Sequence, residues 1–400
     1  GGLRFDQANL VINGGTVRYS GLTGGDWRSF TVGSLGATFD NPNSGVTWSL
    51  NNSAQAPVIS GNLTFTGAGN TVNNHTLTGS GYSIIKNGAG TLTLGGNNTY
   101  TGATTINTGT LIVENNAPTF TTSGYSGAGS LVIQSSGASF TSPVVFDKAI
   151  SGLAGLTIGK STNTSNLSIL NSIGISGPIT LYGGAVSLSA ALTTSNTSTG
   201  NVSITTTGLT GSGGIGLAAG RNFSLTQSGT STYSGVISGT GSTFTKLGVS
   251  TFTLTGTNTY TGDTTISAGT LQLGSGGTAG SVAGNIVDNA TLVFNRSNTY
   301  LYSGLISGSG SVSQIGSGTT ALLSANSYQG GTTLSAGTLG VYDASAIGSG
   351  TLTGAGGTLM LGRGVTTFSN NINLTGNMTA AFDNTIDYLI VGGGDRKSVV

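Results

Sequence analysis

The feature that most constrains the fold is an internal repeat that occurs three times and aligns without a gap. The copies run from Lys86 to Val113, from Lys246 to Leu273 and from Gln314 to Val341, and the first reads KNGAGTLTLGGNNTYTGATTINTGTLIV. Similarity over such a stretch indicates that each copy folds into the same small unit. The repeat therefore predicts stacked units rather than an ordinary globular domain.

A shorter echo lies inside each copy. Gly90-Thr91-Leu92 returns further along the first copy as Gly109-Thr110-Leu111. The second copy repeats residues 251–254 at 270–273, with the same spacing. A period of about 19–21 residues suits one coil of a solenoid, and roughly 20 such coils would account for the chain.

Apolar and polar residues alternate within each echo. Leu92 and Leu94 are separated by threonine, which is the pattern of a strand with one buried face. If successive coils stack, Leu92 lies beneath Leu111 and Leu94 beneath Val113. We therefore predict aliphatic columns inside the solenoid and threonines outside.

Each copy also carries a turn, which reads NNTYTG at 97–102, TNTYTG at 257–262 and NSYQG at 326–330. Asparagine and glycine adopt left-handed backbone conformations most readily, so we expect the turn to place them there. The residues predicted to define the repeat structurally are Gly90, Leu92, Leu94, Tyr100, Gly102, Gly109, Leu111, Leu254, Tyr260, Gly262, Gly269, Leu271, Tyr328, Gly330, Gly337 and Leu339.

Composition agrees with an all-β chain. Glycine contributes 72 of the 400 residues, proline only 5, and charged residues 6%. Long amphipathic helices lack material because residue 114 is the only glutamate. The regions outside the copies, such as 1–78 and 174–229, still alternate, so we predict one continuous solenoid over residues 1–394.

The two ends of the chain differ from its interior. Residue 1 is glycine and no signal peptide follows, so we expect the start to be truncated. Residues 395–400 (DRKSVV) introduce an Arg-Lys pair into a chain that otherwise avoids charge, and they read as the translation of a common sequencing adapter. We therefore expect the native sequence to stop near residue 394.

The unit GTLTL…NTYTG.TTI..GTL resembles the autotransporter-associated β-strand repeat, also called the passenger-associated transport repeat. The middle segment, 174–229, is similar to filamentous-haemagglutinin-type exoproteins. The first resemblance implies a right-handed parallel β-helix, export through a C-terminal outer-membrane β-barrel translocator, and repeats that assist folding and secretion of the passenger. It also implies a location on the bacterial cell surface or outside the cell.

We accordingly expect a structural, surface-exposed passenger segment that acts as an adhesin-like stalk, with host or surface glycans or proteins as possible partners. Nucleic acid is not expected as a partner, because the formal charge is +1 and basic residues are scattered. No apolar run approaches the roughly 20 residues that a membrane helix needs. The alternatives are a β-helical carbohydrate-active enzyme and an exoprotein of a two-partner secretion system.

An enzyme would need two or three acids meeting on neighbouring coils. Only Asp383 and Asp387 lie close in sequence, and on a strand about 13 Å would separate them, so turn capping is favoured for both. His75 is the sole histidine and is predicted to face outward from a strand or turn. Cysteine is absent. We predict no catalytic, cofactor-binding or metal-binding residue.

Overall fold

The computed structural model describes residues 10–26, 29–51, 56–367 and 369–383. These residues form strands, turns and loops, and none of them is helical; none therefore forms a helix that could cross a membrane. Asp387 and residues 395–400 lie outside the described part, so the adapter hypothesis stays a prediction. The contacts define two compact units: unit 1 is Gly1–Gly248 with Thr259–Gly262, and unit 2 is Val249–Asn258 with Asp263–Val400.

The described residues of unit 1 form 30 short strands. They are β1 (Leu10–Ile12), β2 (Gly15–Arg18), β3 (Gly24–Asp26), β4 (Phe30–Val32), β5 (Ala37–Asp40), β6 (Thr47–Leu50), β7 (Val58–Ile59), β8 (Leu63–Thr66), β9 (Asn70–Asn73), β10 (Ile84–Lys86), β11 (Thr91–Leu94), β12 (Thr104–Ile106), β13 (Thr110–Glu114), β14 (Gly124–Ser126), β15 (Ser130–Gln134), β16 (Val144–Phe146), β17 (Ala149–Ser151), β18 (Gly155–Ile158), β19 (Leu167–Ile169), β20 (Ile173–Ile175), β21 (Ile179–Tyr182), β22 (Ala185–Leu188), β23 (Leu192–Thr194), β24 (Val202–Thr206), β25 (Gly208–Gly211), β26 (Ile215–Gly216), β27 (Asn222–Gln227), β28 (Ser231–Tyr233), β29 (Ile237–Ser238) and β30 (Thr243–Leu247).

The strands of unit 1 pair in parallel, each with the equivalent strand of the neighbouring coil. One sheet follows the order β2-β5-β8-β10-β12-β14-β17-β20-β23-β26-β29, and a second runs from β3 through β11 and β13 to β30. Shorter sheets, β1-β4-β7 and β16-β19-β22-β25, form the remaining face. Parallel pairing of strands from consecutive coils makes unit 1 a β-solenoid, as the repeat predicts.

The predicted stacking register is confirmed in the first copy. Leu92 pairs with Leu111 and Leu94 with Val113. Three of these four side chains are buried and Val113 is half-buried, whereas the intervening residues, Thr93 and Ile112, are partly exposed. The inward column continues from Leu111 to Leu131 in the next coil. Coils longer than predicted occur outside the copies, because the coil that follows Leu131 brings the chain back into register only at Leu156.

Within the part that the structure describes, unit 2 forms 15 strands. They are β31 (Thr251–Leu254), β32 (Thr264–Ile266), β33 (Thr270–Leu273), β34 (Ile286–Asp288), β35 (Thr291–Phe294), β36 (Tyr300–Tyr302), β37 (Ile306–Ser307), β38 (Ser311–Gln314), β39 (Thr319–Leu322), β40 (Thr332–Leu334), β41 (Thr338–Val341), β42 (Leu352–Gly354), β43 (Thr358–Leu361), β44 (Ile372–Leu374) and β45 (Thr379–Phe382).

Unit 2 is also a parallel β-solenoid. Its sheets follow the orders β31-β33-β35-β38-β40-β42-β44, β36-β39-β41-β43-β45 and β32-β34-β37. Its coils keep the period of the echo, since Thr251 pairs with Thr270 and Leu254 with Leu273. The described residues make about 17 turns, compared with the roughly 20 predicted for the whole chain, and several coils between the first and second copies are longer than predicted. The prediction of one continuous solenoid over residues 1–394 stays a prediction.

Candidate functional site

The candidate site is the repeat itself, because each copy contains a small piece of solenoid with its own strand pairings. In the first copy, β10, which ends at the copy's first residue, Lys86, pairs with β12, and β11 pairs with β13. In the third copy, β38 pairs with β40 and β39 pairs with β41. Strands of two consecutive coils therefore pair within one short stretch of chain, and neither pairing needs a strand from a distant part of the sequence.

The first residue of the first copy, Lys86, is buried despite its charge. Its Nζ atom donates hydrogen bonds to the carbonyl oxygens of Asn87 and Gly88, at 2.8 and 2.7 Å, and of Thr108 at 3.4 Å. Burial lowers the pKa of Lys86 to about 8. Backbone carbonyls, rather than carboxylates, therefore solvate this ammonium group.

The same position is a buried donor in the other two copies. Lys246 Nζ donates to the carbonyl of Gly248 at 2.7 Å, and burial lowers its pKa to about 8. Gln314 Nε2 donates to the carbonyl of Gly316 at 2.8 Å and to that of Gly318 at 3.2 Å. We call this position, which comprises residues 86, 246 and 314, the donor position. No role for this position was predicted from the sequence, and the feature that its three residues share is a long side chain with an N–H donor at an inward strand position.

The tyrosine of the turn points into the solenoid. Tyr100 Oη lies 2.7 Å from Thr104 Oγ1, and Tyr328 Oη lies 2.6 Å from Thr332 Oγ1. Tyr260 is likewise buried. Burial raises the pKa of Tyr100 to about 12, although the hydrogen bond with Thr104 opposes the shift. The repeated Tyr-x-x-x-Thr spacing thus places two hydroxyls together in the core, where each satisfies the other.

The turn asparagine links neighbouring coils. Asn98 Oδ1 accepts a hydrogen bond from the backbone N–H of Leu77 at 2.9 Å. Asn326 Oδ1 accepts one from the N–H of Ile306 at 2.7 Å, and its Nδ2 donates to the carbonyl of Ala346 at 2.6 Å. An asparagine side chain can serve both backbone donors and acceptors, so it links neighbouring coils at the turn, outside the strand ladders.

The turn glycines correct one prediction. Gly102, Gly262 and Gly330 do not have the left-handed backbone conformation that the sequence suggested. A Cβ atom at Gly102 would overlap the carbonyl oxygen of Tyr82 in the preceding coil, and the other two glycines meet a preceding coil in the same way. Glycine is needed there because two backbones approach closely, not because φ is positive.

Positive φ angles belong instead to the glycine of the GTL echo. Gly109, Gly269 and Gly337 have φ angles of +72°, +69° and +62°. Gly90, at the first GTL of the first copy, is crowded by the carbonyl of Gly69.

The apolar residues of the predicted set are all buried: Leu92, Leu94, Tyr100, Leu111, Leu254, Tyr260, Leu271, Tyr328 and Leu339.

The carboxylates are dispersed, and among the described residues no three His, Cys, Asp or Glu side chains meet to hold a metal ion. Asp343 Oδ1 accepts a hydrogen bond from the N–H of Ser345, as a turn-capping acid does. Asp383 Oδ2 accepts one from Tyr342 Oη at 2.6 Å. A pairing of Asp383 with Asp387 stays untested because Asp387 lies outside the described residues.

The prediction that His75 faces outward is wrong. The side chain is fully buried and packs edge-on against Phe30, with ring centroids 5.5 Å apart. The backbone carbonyl of His75 accepts a hydrogen bond from Asn73 Nδ2. The alternation of β9 continues past the end of the strand, so that Asn73, His75 and Leu77 all face inward. That alternation was the signal that the sequence analysis overlooked.

One buried acid had no predicted role. Asp288, at the end of β34, is fully buried, and its Oδ1 accepts a hydrogen bond from the N–H of Ala290 at 3.0 Å. Its Oδ2 has no hydrogen-bond partner within the described residues. Burial raises the pKa of Asp288 to about 6, despite backbone hydrogen bonds from Ala290 and Leu292 that oppose the shift.

Comparison with known families decides what the repeated unit is. The family Passenger-associated-transport-repeat matches residues 84–113, 244–273 and 312–341. These are passenger-associated transport repeats. Each match ends where the sequence-defined copy ends but begins two residues earlier. The added residues are the first two of β10 and two residues within each of β30 and β38. Their inward side chains are Ile84, Phe244 and Val312. Those side chains share burial but not identity, so alignment of the three copies with one another did not include them.

A stretch of 99 residues is 44% identical to the Adhesin BmaC autotransporter of Brucella suis biovar 1 (strain 1330). The matched stretch is 24% of this chain and 3% of that relative. No solved structure is significantly similar to the chain. The passenger-associated transport repeats and this relative support an autotransporter passenger, located at the cell surface or outside the cell and exported through the outer membrane.

Proposed function

We propose that the chain is a non-enzymatic stalk segment of a surface adhesin, in which the passenger-associated transport repeats promote folding of the passenger after it crosses the outer membrane. The observation that carries the proposal is the self-contained strand pairing of each repeat. β10 with β12, and β11 with β13, supply two ladders inside residues 84–113. A repeat can therefore fold as soon as it emerges.

Folding beyond a repeat then proceeds coil by coil. Each new coil buries its inward side chains against the coil already formed and completes a ladder of backbone hydrogen bonds. Leu111, for example, receives Leu131 from the following coil. Because each added coil lowers the free energy on the outer side, folding opposes backsliding through the translocator. The absence of cysteine and the low charge leave the unfolded chain easy to thread.

The proposed adhesive role rests on the name of the relative, which is an adhesin. The proposed partners of this chain are host or surface glycans or proteins. The outward faces carry mainly threonine, serine and asparagine, which offer neutral hydrogen-bonding groups to such partners. The carbohydrate-active enzyme is not favoured, because the described acids lie apart or are engaged as Asp343 and Asp383 are.

The repeat function is tested by coil deletions that preserve stacking register. The chain is displayed on a Gram-negative cell from a heterologous translocator. Deleting residues 92–110 removes one coil of the first repeat, because residue 92 pairs with residue 111. Deleting residues 179–201 removes one coil outside the repeats, because residue 179 pairs with residue 202. We expect the first deletion to lower the amount of protease-resistant passenger at the surface, and the second to leave it near the intact level.

Equal losses from the two deletions would show that the repeats have no special part in export. The adhesive role is measured separately, as attachment of displaying cells to host cells and to glycan-coated surfaces. Attachment that does not change when the segment is removed would contradict it. Release of reducing ends from a polysaccharide panel by the purified chain would overturn the non-enzymatic role.

A further inference from the structure

We infer that the donor position controls how readily each passenger-associated transport repeat folds, by closing the turn that follows it with an N–H donor. The inference rests on the proposed function of the repeats in folding. It goes further because it assigns that function to a particular hydrogen bond and predicts which side chains can supply it.

The three donor positions use different chemistry for the same contact. Two are lysines and one is glutamine, yet each donates to the carbonyl oxygen two residues further along the chain, at 2.7, 2.7 and 2.8 Å. All three side chains are almost completely buried. A carbonyl shielded from water is left unsatisfied when it loses its donor, which destabilises the turn that contains it. What the repeats share is therefore an inward N–H donor to the carbonyl two residues further along, and not a charge.

Within the part of the chain that the structure describes, the ammonium group of Lys86 forms no ion pair. Its ammonium group lies among carbonyl oxygens, one of which belongs to Thr108 in the next coil. Thr108 directly precedes Gly109, whose φ of +72° marks the matching turn of that coil. Lys86 thus ties two stacked turns together, and this contact forms only when the second coil is in place.

Gln314 shows that a neutral donor suffices. Its amide nitrogen reaches two carbonyls of its own turn, those of Gly316 and Gly318. The amide oxygen, Oε1, has no hydrogen-bond partner among the described residues. The N–H group of the amide therefore makes the contacts with the turn. Because lysine also supplies an N–H donor, we expect lysine and glutamine to be interchangeable at this position.

The test is refolding of the full 400-residue chain from urea, with four variants. Lys86→Gln and Gln314→Lys keep a donor, whereas Lys86→Met and Gln314→Met keep the length of the side chain and remove the donor. Lys160→Met is the matched control, because Lys160 Nζ also caps a carbonyl, that of Gly137, but from a solvent-accessible position where water can replace it. Refolding rates and hydrogen exchange of amides in residues 87–90 and 315–318 are measured.

We expect the two methionine variants to refold about tenfold more slowly, which corresponds to a loss of about 1.4 kcal/mol in the transition state, and to lose amide protection at the altered turn. The donor-keeping variants and the Lys160→Met control should refold within about twofold of the unaltered chain. Methionine variants that do not fold at all, beside donor-keeping variants that do, would also support the inference.

Two results would overturn it. Methionine variants that refold at the unaltered rate with full protection would show that the donor is dispensable. A Lys86→Gln variant as slow as Lys86→Met would show that charge, and not donation, matters. Failure of the proposed function is distinguishable, because equal export of the two coil deletions would contradict a role in secretion while leaving the refolding results in place.

Discussion

The hydroxyl oxygens of Tyr100 and Thr104 lie 2.7 Å apart in the interior of the first repeat, four residues apart in sequence. Thr104 Oγ1 also lies 3.2 Å from Thr122 Oγ1, so the pair belongs to a small buried chain of hydroxyls. Interior polar groups of this kind stabilise only when each is satisfied. The turn tyrosine is therefore both a core residue and a hydrogen-bond partner.

We expect Tyr100→Phe to lower the free energy of unfolding by about 1 kcal/mol, because it removes one hydrogen bond but leaves Thr104 in contact with Thr122. Tyr328→Phe should cost a similar amount in the third repeat, where Tyr328 pairs with Thr332. Urea denaturation measures both. A double-mutant cycle of Tyr100→Phe with Thr104→Val should give a coupling energy of about 1 kcal/mol, and a coupling near zero would refute the pairing.

Close approach of backbones explains why the turn glycine recurs. We expect Gly102→Ala to destabilise unit 1 by more than about 2 kcal/mol, because the added methyl group would overlap the carbonyl of Tyr82. Gly137→Ala is the matched control, since its φ is ordinary and its nearest neighbour, Ser135 Oγ, would be 3.5 Å away. Thermal unfolding of both variants measures the difference. Equal melting temperatures would show that the coils can separate at no cost.

The sequence predicted the strands and their register because the echo within each repeat determines which side chains stack. Leu92 over Leu111 follows from spacing alone. It did not distinguish the two reasons for a glycine, since both a positive φ, as at Gly109, and a crowded backbone, as at Gly102, exclude a side chain. Such a distinction needs the position of the neighbouring coil.

Buried polar residues were the least predictable part of the site. Lysine usually lies at surfaces and histidine is intermediate in burial, so no role was predicted for Lys86, and His75 was predicted to face outward. In strands such as β9 every second residue faces inward, and there the alternation continues past the end of the strand to His75 and Leu77. A polar residue at an inward position is then tolerated if local backbone groups satisfy it, as the carbonyls of Asn87 and Gly88 do for Lys86.

Asp288 leads to a prediction about pH. Burial raises its pKa in the folded chain to about 6, above the usual value for aspartate, so the folded state favours the protonated acid. The stabilising effect of protonation is fully present below about pH 4 and is lost as the pH rises through about 6. It amounts to at most about 3 kcal/mol. We therefore expect the stability of unit 2 to fall between pH 4 and pH 7.

The measurement is urea denaturation of the full chain at several pH values, together with the carboxyl carbon chemical shift of Asp288, which reports its titration directly. Asp288→Asn keeps the oxygen that accepts from Ala290 and removes the titrating group, so this variant should lose that part of the pH dependence. Asp343→Asn alters an acid that caps an exposed turn and should retain it. Two results would show that the buried carboxyl is not the source of the pH dependence: an Asp288→Asn variant that keeps the dependence of the unaltered chain, or a carboxyl that titrates near pH 4. Only a carboxyl that is costly to ionise in the folded state can link proton binding to folding in this pH range.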